Sequence, residues 1–309
     1  SNTTESAGTG ITTITTTMVM RCPKSRRRML AASYAKINLF LEVLGHLPNG
    51  YHQVNTVLCS IDLFDSVKYA LTKRSTLKLL CSMPELNGAD NLVCRIASYL
   101  KEMYQIPSGL DIELQKRIPV AAGLGGGSSN AATTVIALNK LWHLDLSEDK
   151  MHEIAASFGS DINFFLVGGT ALGENRGERI SSMSDILIKN ILLVNPGIAI
   201  AAGKAYGATE LPAPGETRQF DPQNPLATMF NRLEPAVRRL YPQVDRLLQE
   251  IVAYGAVVSM LSGSGSTCFG IFDDERGMTE CQSHFEKMGY YTHITRTISR
   301  SEYQACFPS

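Results

Sequence analysis

The residues with the clearest chemical purpose are a glycine run, an aspartate that follows a glycine, and a lysine at the start of an apolar strand. The glycine run is Pro119-Val-Ala-Ala-Gly-Leu-Gly-Gly-Gly-Ser-Ser-Asn130. Four glycines fall within five residues, at Gly123, Gly125, Gly126 and Gly127. They have no side chain to bury and lose backbone entropy on ordering. The run is therefore expected to serve close approach of another group to bare backbone, not packing. A helix is predicted to follow at once, with Ser128, Ser129 and Asn130 in its first turn. The free N–H groups and partial positive charge of a helix start suit a phosphate. The two serine hydroxyls add reach to phosphate oxygens or to a metal that they hold.

Other phosphate loops do not fit. No lysine follows the glycines, as the GxxxxGK loop requires, and Ser128 stands where GxGxxG needs its last glycine. The HRD and DFG signatures of protein kinases are absent. His152-Glu153 is followed by Ala156, so the two-histidine zinc helix is excluded.

Asp161 lies after Gly159-Ser160 and before an apolar stretch. Its carboxylate is expected to be partly desolvated and to need a stabilising charge. Lys36, between Ala35 and Ile37, is the natural partner. Phosphoryl transfer needs mainly positioning and electrostatics. Asp161 would take the proton of an attacking hydroxyl, and Lys36 would hold Asp161 ionised and neutralise the moving phosphoryl. A plain buried salt bridge is the alternative. Asn38 lies two residues along the strand and so on the same face as Lys36. Tyr51 offers a ring for stacking. His52 offers a donor and acceptor edge, unless it is a turn histidine with no ligand. Gly263 and Gly265, in a second Gly/Ser loop, would let backbone approach substrate or phosphate. Ser264 lacks a GxSxG elbow and is not expected to be a nucleophile.

These groups need a framework. Ile37 to Leu44 and Gln53 to Ile61 read as a hairpin around Pro48-Asn49-Gly50, whose proline presets φ and whose glycine accepts positive φ. Ser66 to Ala70, Leu77 to Cys81 and Leu110 to Leu114 read as further strands. A helix capped by Asp90 or Asn91 runs to Met103, one runs from Ser128 to Trp142, and one opens at Ser147 and stops near Gly159. Ile162 to Val167 and Thr170 to Leu172 read as strands. Beyond Ser181 come a strand at Ile191 to Asn195, a Pro-rich stretch, helices over 231–241 and 243–254, and a strand at Cys268 to Phe272. Hairpins mixed with helices argue for α+β in two halves, not strict βαβ alternation.

The 309 residues are 44% hydrophobic and 19% charged, which gives an ordinary globular core. Lys+Arg and Asp+Glu are equal at 29 each, so no general basic surface for nucleic acid is expected. No apolar run reaches the roughly eighteen residues of a membrane span. The seven cysteines are odd in number and form no CxxC pair, which argues against zinc or a disulfide framework. Residues 1–30 are Thr-, Ser- and Arg-rich with one acid, Glu5. They read as a disordered leader or a transit-peptide remnant. The localisation expected is cytoplasmic, or plastid in the second case.

Taken together, the motifs resemble those of the GHMP kinases, the galactokinase–homoserine kinase–mevalonate kinase superfamily. The glycine run resembles its central motif, and Leu261-Ser-Gly-Ser-Gly-Ser266 its third. Ala35-Lys-Ile-Asn-Leu-Phe-Leu41 with Asn49-Gly-Tyr-His52, and Gly159-Ser-Asp-Ile-Asn-Phe-Phe165, are similar to the branch acting on a cytidine-diphosphate-linked methylerythritol. The matches span about residues 33 to 270 in the family's order.

The resemblance implies a two-domain α+β fold. Its N-terminal half, residues 31–180, would bind ATP and be like the second domain of ribosomal protein S5. Its C-terminal half, 181–309, would be ferredoxin-like. It implies ATP with Mg²⁺, for which Ser129 is the candidate neighbour, and a small-molecule substrate in non-mevalonate isoprenoid synthesis. Lys36 and Asp161 would be catalytic. Pro119, the four glycines, Ser128, Ser129 and Asn130 would bind phosphate. Asn91 would sit near adenine, or simply cap its helix. Asn38, Tyr51, His52, Gly263 and Gly265 would face the substrate, with His52 on the cytidine. Tyr206 aligns loosely with an aromatic on the other side of the cytosine, since Gly203-Lys204-Ala205 breaks the pattern. Asn163 replaces a usual proline, and the N–H it frees is expected to loosen Asp161. The rivals are a GHMP kinase for mevalonate, homoserine or a sugar, and a non-catalytic nucleotide-binding protein.

Overall fold

The computed structural model describes residues 28–307. The expectation for residues 1–27 lies outside the described residues. Residues 28–30, assigned to the same leader, instead open the first strand, where Arg28 pairs with Ala70.

Two long strands, β1 (Arg28–His46) and β2 (His52–Thr72), make the hairpin that dominates the N-terminal half. The turn closes as its residues dictate. Gly50 has φ +83° and donates to the Leu47 carbonyl at 3.0 Å, while Leu47 N donates to Tyr51 O at 2.7 Å. The two strands expected at 53–61 and 66–70 are one continuous β2. Its first part pairs with β5 (Thr170–Asn175) and its second with β4 (Gly109–Gln115). β3 (Leu77–Cys81) and β6 (Arg179–Ser182) extend the two ends. A short β8 (Phe230–Asn231) joins β1 in parallel, so the second half of the chain completes the seven-stranded sheet of the first.

Helices α1 (Leu92–Met103), α2 (Gly126–Leu141), α3 (Glu148–Phe158) and α4 (Ile162–Val167) accompany that sheet, sharing its apolar core. Asn91 caps α1 and Ser147 caps α3 through side-chain acceptors, as their sequence suggested. The stretch 162–167 was expected as a strand and is helical. A short apolar run carries no period that separates the two states. Here Ile162, Phe164 and Phe165 all bury, and Gly168 and Gly169, both at positive φ, stop the helix.

The C-terminal half holds a four-stranded antiparallel sheet, ordered β11-β7-β10-β9. These are β7 (Ile191–Asn195), β9 (Val258–Leu261), β10 (Cys268–Ile271) and β11 (Tyr291–Thr295). Between them run α5 (Ala202–Gly207), α6 (Pro225–Thr228), α7 (Glu234–Leu240), α8 (Pro242–Ala253) and α9 (Glu275–Lys287), with α10 (Arg300–Gln304) at the end. This order and connection are those of a ferredoxin-like unit. β7 is buried along its whole length because both faces are covered. Ile191 and Leu193 join the core between the two sheets, and Leu192 and Val194 the core under α8 and α9. Helices, sheet, sheet and helices thus lie in layers, an α+β architecture as expected.

Candidate active site

A cavity of about 970 Å³ opens between the two halves. The strand pair β1–β2 supplies one wall. Lys36 and Asn38 are both buried and share a face, as strand periodicity requires. Lys36 Nζ donates to Asn38 Oδ1 at 2.6 Å and to the Gly123 carbonyl at 2.8 Å. Asn38 Nδ2 donates to Thr56 Oγ1 at 2.9 Å, and that hydroxyl donates to Phe40 O at 2.7 Å. Thr56 was not singled out from the sequence. Its strand parity on the facing arm of the hairpin was the available signal.

Burial pushes the Lys36 ammonium below its ordinary value, and the charge of Asp161 opposes that. The expected geometry of this pair needs correction. Asp161 is exposed, not desolvated, and it does not come within the 4.0 Å of an ion pair with Lys36. Neutral oxygens hold the lysine instead, and both side chains face the same cavity. Asp161 is the N-cap residue of α4, and burial begins only with the next residue, Ile162.

The glycine loop runs into α2, whose N-cap Gly125 is left-handed at φ +70°. Contrary to expectation, most of its glycines are packed by the protein itself. A Cβ on Gly123 would lie 2.2 Å from Ser262 O, and one on Gly125 2.7 Å from the Phe165 ring. One on Gly126 would lie 3.0 Å from Ile118 and 3.2 Å from Lys116 Nζ. Only at Gly127, among these four, is the space open. The second loop, 262–267, is bonded to the first. Ser262 Oγ donates to Gly123 O at 3.0 Å, and Thr267 N to Ala122 O at 3.2 Å. Gly263 packs by Lys36 and Asn38, and both Gly263 and Gly265 line the cavity.

Ser129 does not reach the cavity. It is fully buried, and its hydroxyl pairs with Ser33 Oγ at 2.7 Å, because its place on α2 faces the sheet. Asn130 lines the cavity but is also held from below. Its amide donates to Ser33 Oγ and to Asp65, each at 2.9 Å, and its oxygen accepts from Lys116 at 3.1 Å. Asp65 and Lys116 form a buried ion pair. Neither was visible in the sequence, since Asp65 looks like any polar strand position and Lys116 lies just beyond the end of β4. Pro119 lies on the cavity wall. Ser128 is half-buried. Asn91 also lines the cavity, but both ends of its amide are engaged, accepting from Val93 N and donating to Leu86 O at 2.9 Å each.

At the far end stand Tyr51, His52 and Tyr206. Tyr51 is half exposed, with the Arg176 guanidinium 5.2 Å from its ring centroid. The His52 ring lies 4.5 Å from that of His46 and 5.1 Å from that of Tyr206. Burial, and then His46, hold His52 below the usual histidine value. Arg176, a cavity cation missed in the sequence, is anchored to the Ala156 carbonyl at 3.0 Å.

Comparisons with known proteins bear on this cavity. The model for the GHMP kinases N terminal domain matches residues 91–169, and that for GHMP kinases C terminal matches 216–290. The 4-diphosphocytidyl-2-C-methyl-D-erythritol kinase of Thermoanaerobacter sp. (strain X514) is 35% identical over 287 residues, covering 89% of this chain and 98% of that protein.

The chain belongs to the 4-diphosphocytidyl-2-C-methyl-D-erythritol kinase family.

The kinase of that name from Geobacter sp. (strain M21) is also 35% identical, over 85% of this chain and 97% of its own. A crystal structure of 4-(cytidine 5'-diphospho)-2C-methyl-D-erythritol kinase superposes with a TM-score of 0.74 at 28% identity, covering 88% of this chain and 100% of that one. The mevalonate kinase of L. major, at 13% identity and a TM-score of 0.66, shares the fold. Among the described residues no helix is long and apolar enough to cross a membrane.

Proposed function

We propose that this kinase transfers the γ-phosphoryl of ATP to the 2-hydroxyl of 4-diphosphocytidyl-2-C-methyl-D-erythritol, a step of the non-mevalonate route to isoprenoid precursors. One observation carries the reading. A single cavity joins the Lys36–Asn38 pair, the Asp161 carboxylate, the open backbone at Gly127 and the aromatic group of Tyr51, His52 and Tyr206. The nucleotide's phosphates lie along Gly127 and the start of α2, where N–H groups point outward. The cytosine stacks at Tyr51 and is read by the neutral imidazole of His52. This sets the methylerythritol between them, near Asp161.

The substrate hydroxyl oxygen forms a bond to the γ-phosphorus as the bond from that phosphorus to the β–γ bridging oxygen breaks. ADP leaves with that electron pair. Asp161, within reach of solvent, accepts the hydroxyl proton. Lys36, fixed by Asn38 and Gly123, places a positive charge where the transferring group gathers negative charge.

The donor set fits a Mg²⁺ that arrives on ATP. Such an ion keeps several waters and takes one or two protein oxygens besides phosphate. With Ser129 turned to Ser33 and Ser128 outside the cavity lining, the Asp161 carboxylate is the group of this chain that would hold it. When bound, it would neutralise phosphate charge.

ADP release measured with the cytidyl-linked substrate, mevalonate and homoserine tests this reading. Turnover with the first acceptor alone, lowered about 10²–10⁴-fold in Asp161→Ala, is expected. Turnover with another acceptor would remove the cytidine assignment of Tyr51 and His52. No turnover from folded, ATP-binding protein would remove the enzyme reading.

A further inference from the structure

Asp161 carries no hydrogen bond that would fix it. It stands at the N-cap of α4 but makes no side-chain cap there, and Lys36 is not within ion-pair distance. Its position is set by the backbone of a helix only six residues long. Besides the burial of Ile162, Phe164 and Phe165, two hydrogen-bonding side chains hold that helix. Toward its end, the Tyr303 hydroxyl donates to Phe165 O at 2.5 Å. At its start, two residues beyond Asp161, stands Asn163, whose side chain is buried.

Both ends of the Asn163 amide are used. Its oxygen pairs with His152 Nδ1 on α3 at 3.1 Å. Its nitrogen donates to the Glu178 carbonyl at 3.0 Å. Glu178 belongs to the β5–β6 turn, where its carboxylate accepts from Asn175 Nδ2 at 2.5 Å and from Arg176 N at 3.0 Å. Arg176 and Gly177 of that turn line the same cavity as Asp161. One buried amide therefore ties three segments together: α3, the start of α4 and the turn that lines the cavity beside it.

We infer that Asn163 is a positioning residue, which fixes the Asp161 carboxylate relative to the β5–β6 turn and so to the substrate held against it. The inference rests on Asp161 acting as the base. Asn163 touches neither substrate nor nucleotide and acts through backbone placement. On this inference the Asn163 side chain offsets the looser backbone that the loss of the usual proline implies.

The test is a double-mutant cycle of Asn163→Ala and Asp161→Asn, with kcat and both KM values per folded enzyme and thermal unfolding of each variant. Displacement of a reacting group by about 1 Å can lower a rate about 10²-fold. Asn163→Ala is expected to lower kcat about 10–100-fold on this basis, with KM for ATP unchanged. In the Asp161→Asn background the same change should have no further effect on kcat, since the group it positions is gone. If Asn163→Ala folds poorly, Asn163→Asp keeps the volume and the acceptor for His152 while removing the donor to Glu178 O. The oxygen it sets against the Glu178 carbonyl should release that turn, and kcat per folded molecule is expected to fall. Equal losses of kcat in both backgrounds would overturn the inference, as would full kcat per folded molecule in either Asn163 variant. Wild-type kcat in Asp161→Asn would instead overturn the base assignment, and this inference with it.

Discussion

Lys36 Nζ donates to the Gly123 carbonyl at 2.8 Å, so the ammonium joins the first strand to the glycine loop before any substrate arrives. A second donor, Ser262 Oγ, meets the same oxygen at 3.0 Å. The lysine thus stands where both loops and the hairpin meet. Burial lowers its pKa, and the charge of Asp161 counters this. Lys36→Met is expected to lower kcat by about 10²–10³, the usual size of losing one preorganised electrostatic group. The Gly123 carbonyl keeps its bond to Ser262, so the loop junction should survive. Steady-state ADP release and circular dichroism together check this.

The glycine loop yields a sharper contrast. Gly127 has open space around its missing Cβ, whereas Gly123 would place one 2.2 Å from Ser262 O at a φ of +77°. Gly127→Ala should fold with unchanged or slightly higher stability, because a helical alanine restricts the unfolded chain. Its KM for ATP should rise at least about tenfold as the methyl obstructs phosphate at the helix start. Gly123→Ala should lose on the order of 2 kcal/mol or more of stability from strain and overpacking. Urea unfolding beside ATP titration separates the two outcomes. A Gly127→Ala variant with normal KM for ATP would place the phosphates elsewhere.

Much of this site was legible because its signals are local. Asn91 and Ser147 cap their helices through their own side chains, and Lys36 and Asn38 share a face by simple alternation. In the C-terminal half β7 and β10 were legible as short apolar runs bounded by turn residues, whereas β9 was not, and the ferredoxin-like form came from the family resemblance alone. What stayed hidden depends on residues far apart in the chain. Ser129 looks like a phosphate ligand until α2 turns it onto Ser33, and Asp65 becomes a buried partner of Lys116 only through the sheet. The helix at 162–167 was read as a strand because its helical state is set by packing of Phe164 and Phe165 and by Tyr303, distant in sequence.

His52 gives the substrate end a pH dependence. Burial and the neighbouring His46 hold its pKa below 6.5, so the imidazole is neutral at pH 7. Protonation, which removes its acceptor, occurs only as pH falls below the ordinary histidine value. KM for the cytidyl substrate should therefore rise on acidification through that lower range, with KM for ATP flat over the same interval. His52→Gln should flatten the profile. His46→Gln removes a repelling charge and should move the rise to higher pH. Initial rates across pH 5 to 8, about the span in which histidine titrates, check the sign.

Glu42 predicts a different pH effect, on stability. Its carboxylate is fully buried on β1 and takes a fork from Arg232 at 2.6 and 2.8 Å, with Val43 N at 3.0 Å and Arg218 N at 2.8 Å. Burial alone pushes its pKa up, but the Arg232 fork and the two backbone donors outweigh burial and leave it below 4.5. A depressed carboxylate means that the unfolded chain takes the proton first as pH falls. The stabilisation is thus complete above pH 4.5 and lost as pH drops through the lower folded value. Glu42→Gln should cost on the order of 2 kcal/mol at pH 7, less than the about 3–5 kcal/mol of a fully buried pair, because Arg232 is 20% exposed. The gap between wild type and variant in urea unfolding should narrow below pH 4.5. A gap independent of pH would show that shape, not charge, makes Glu42 necessary for holding Arg218 and Arg232 against the first strand.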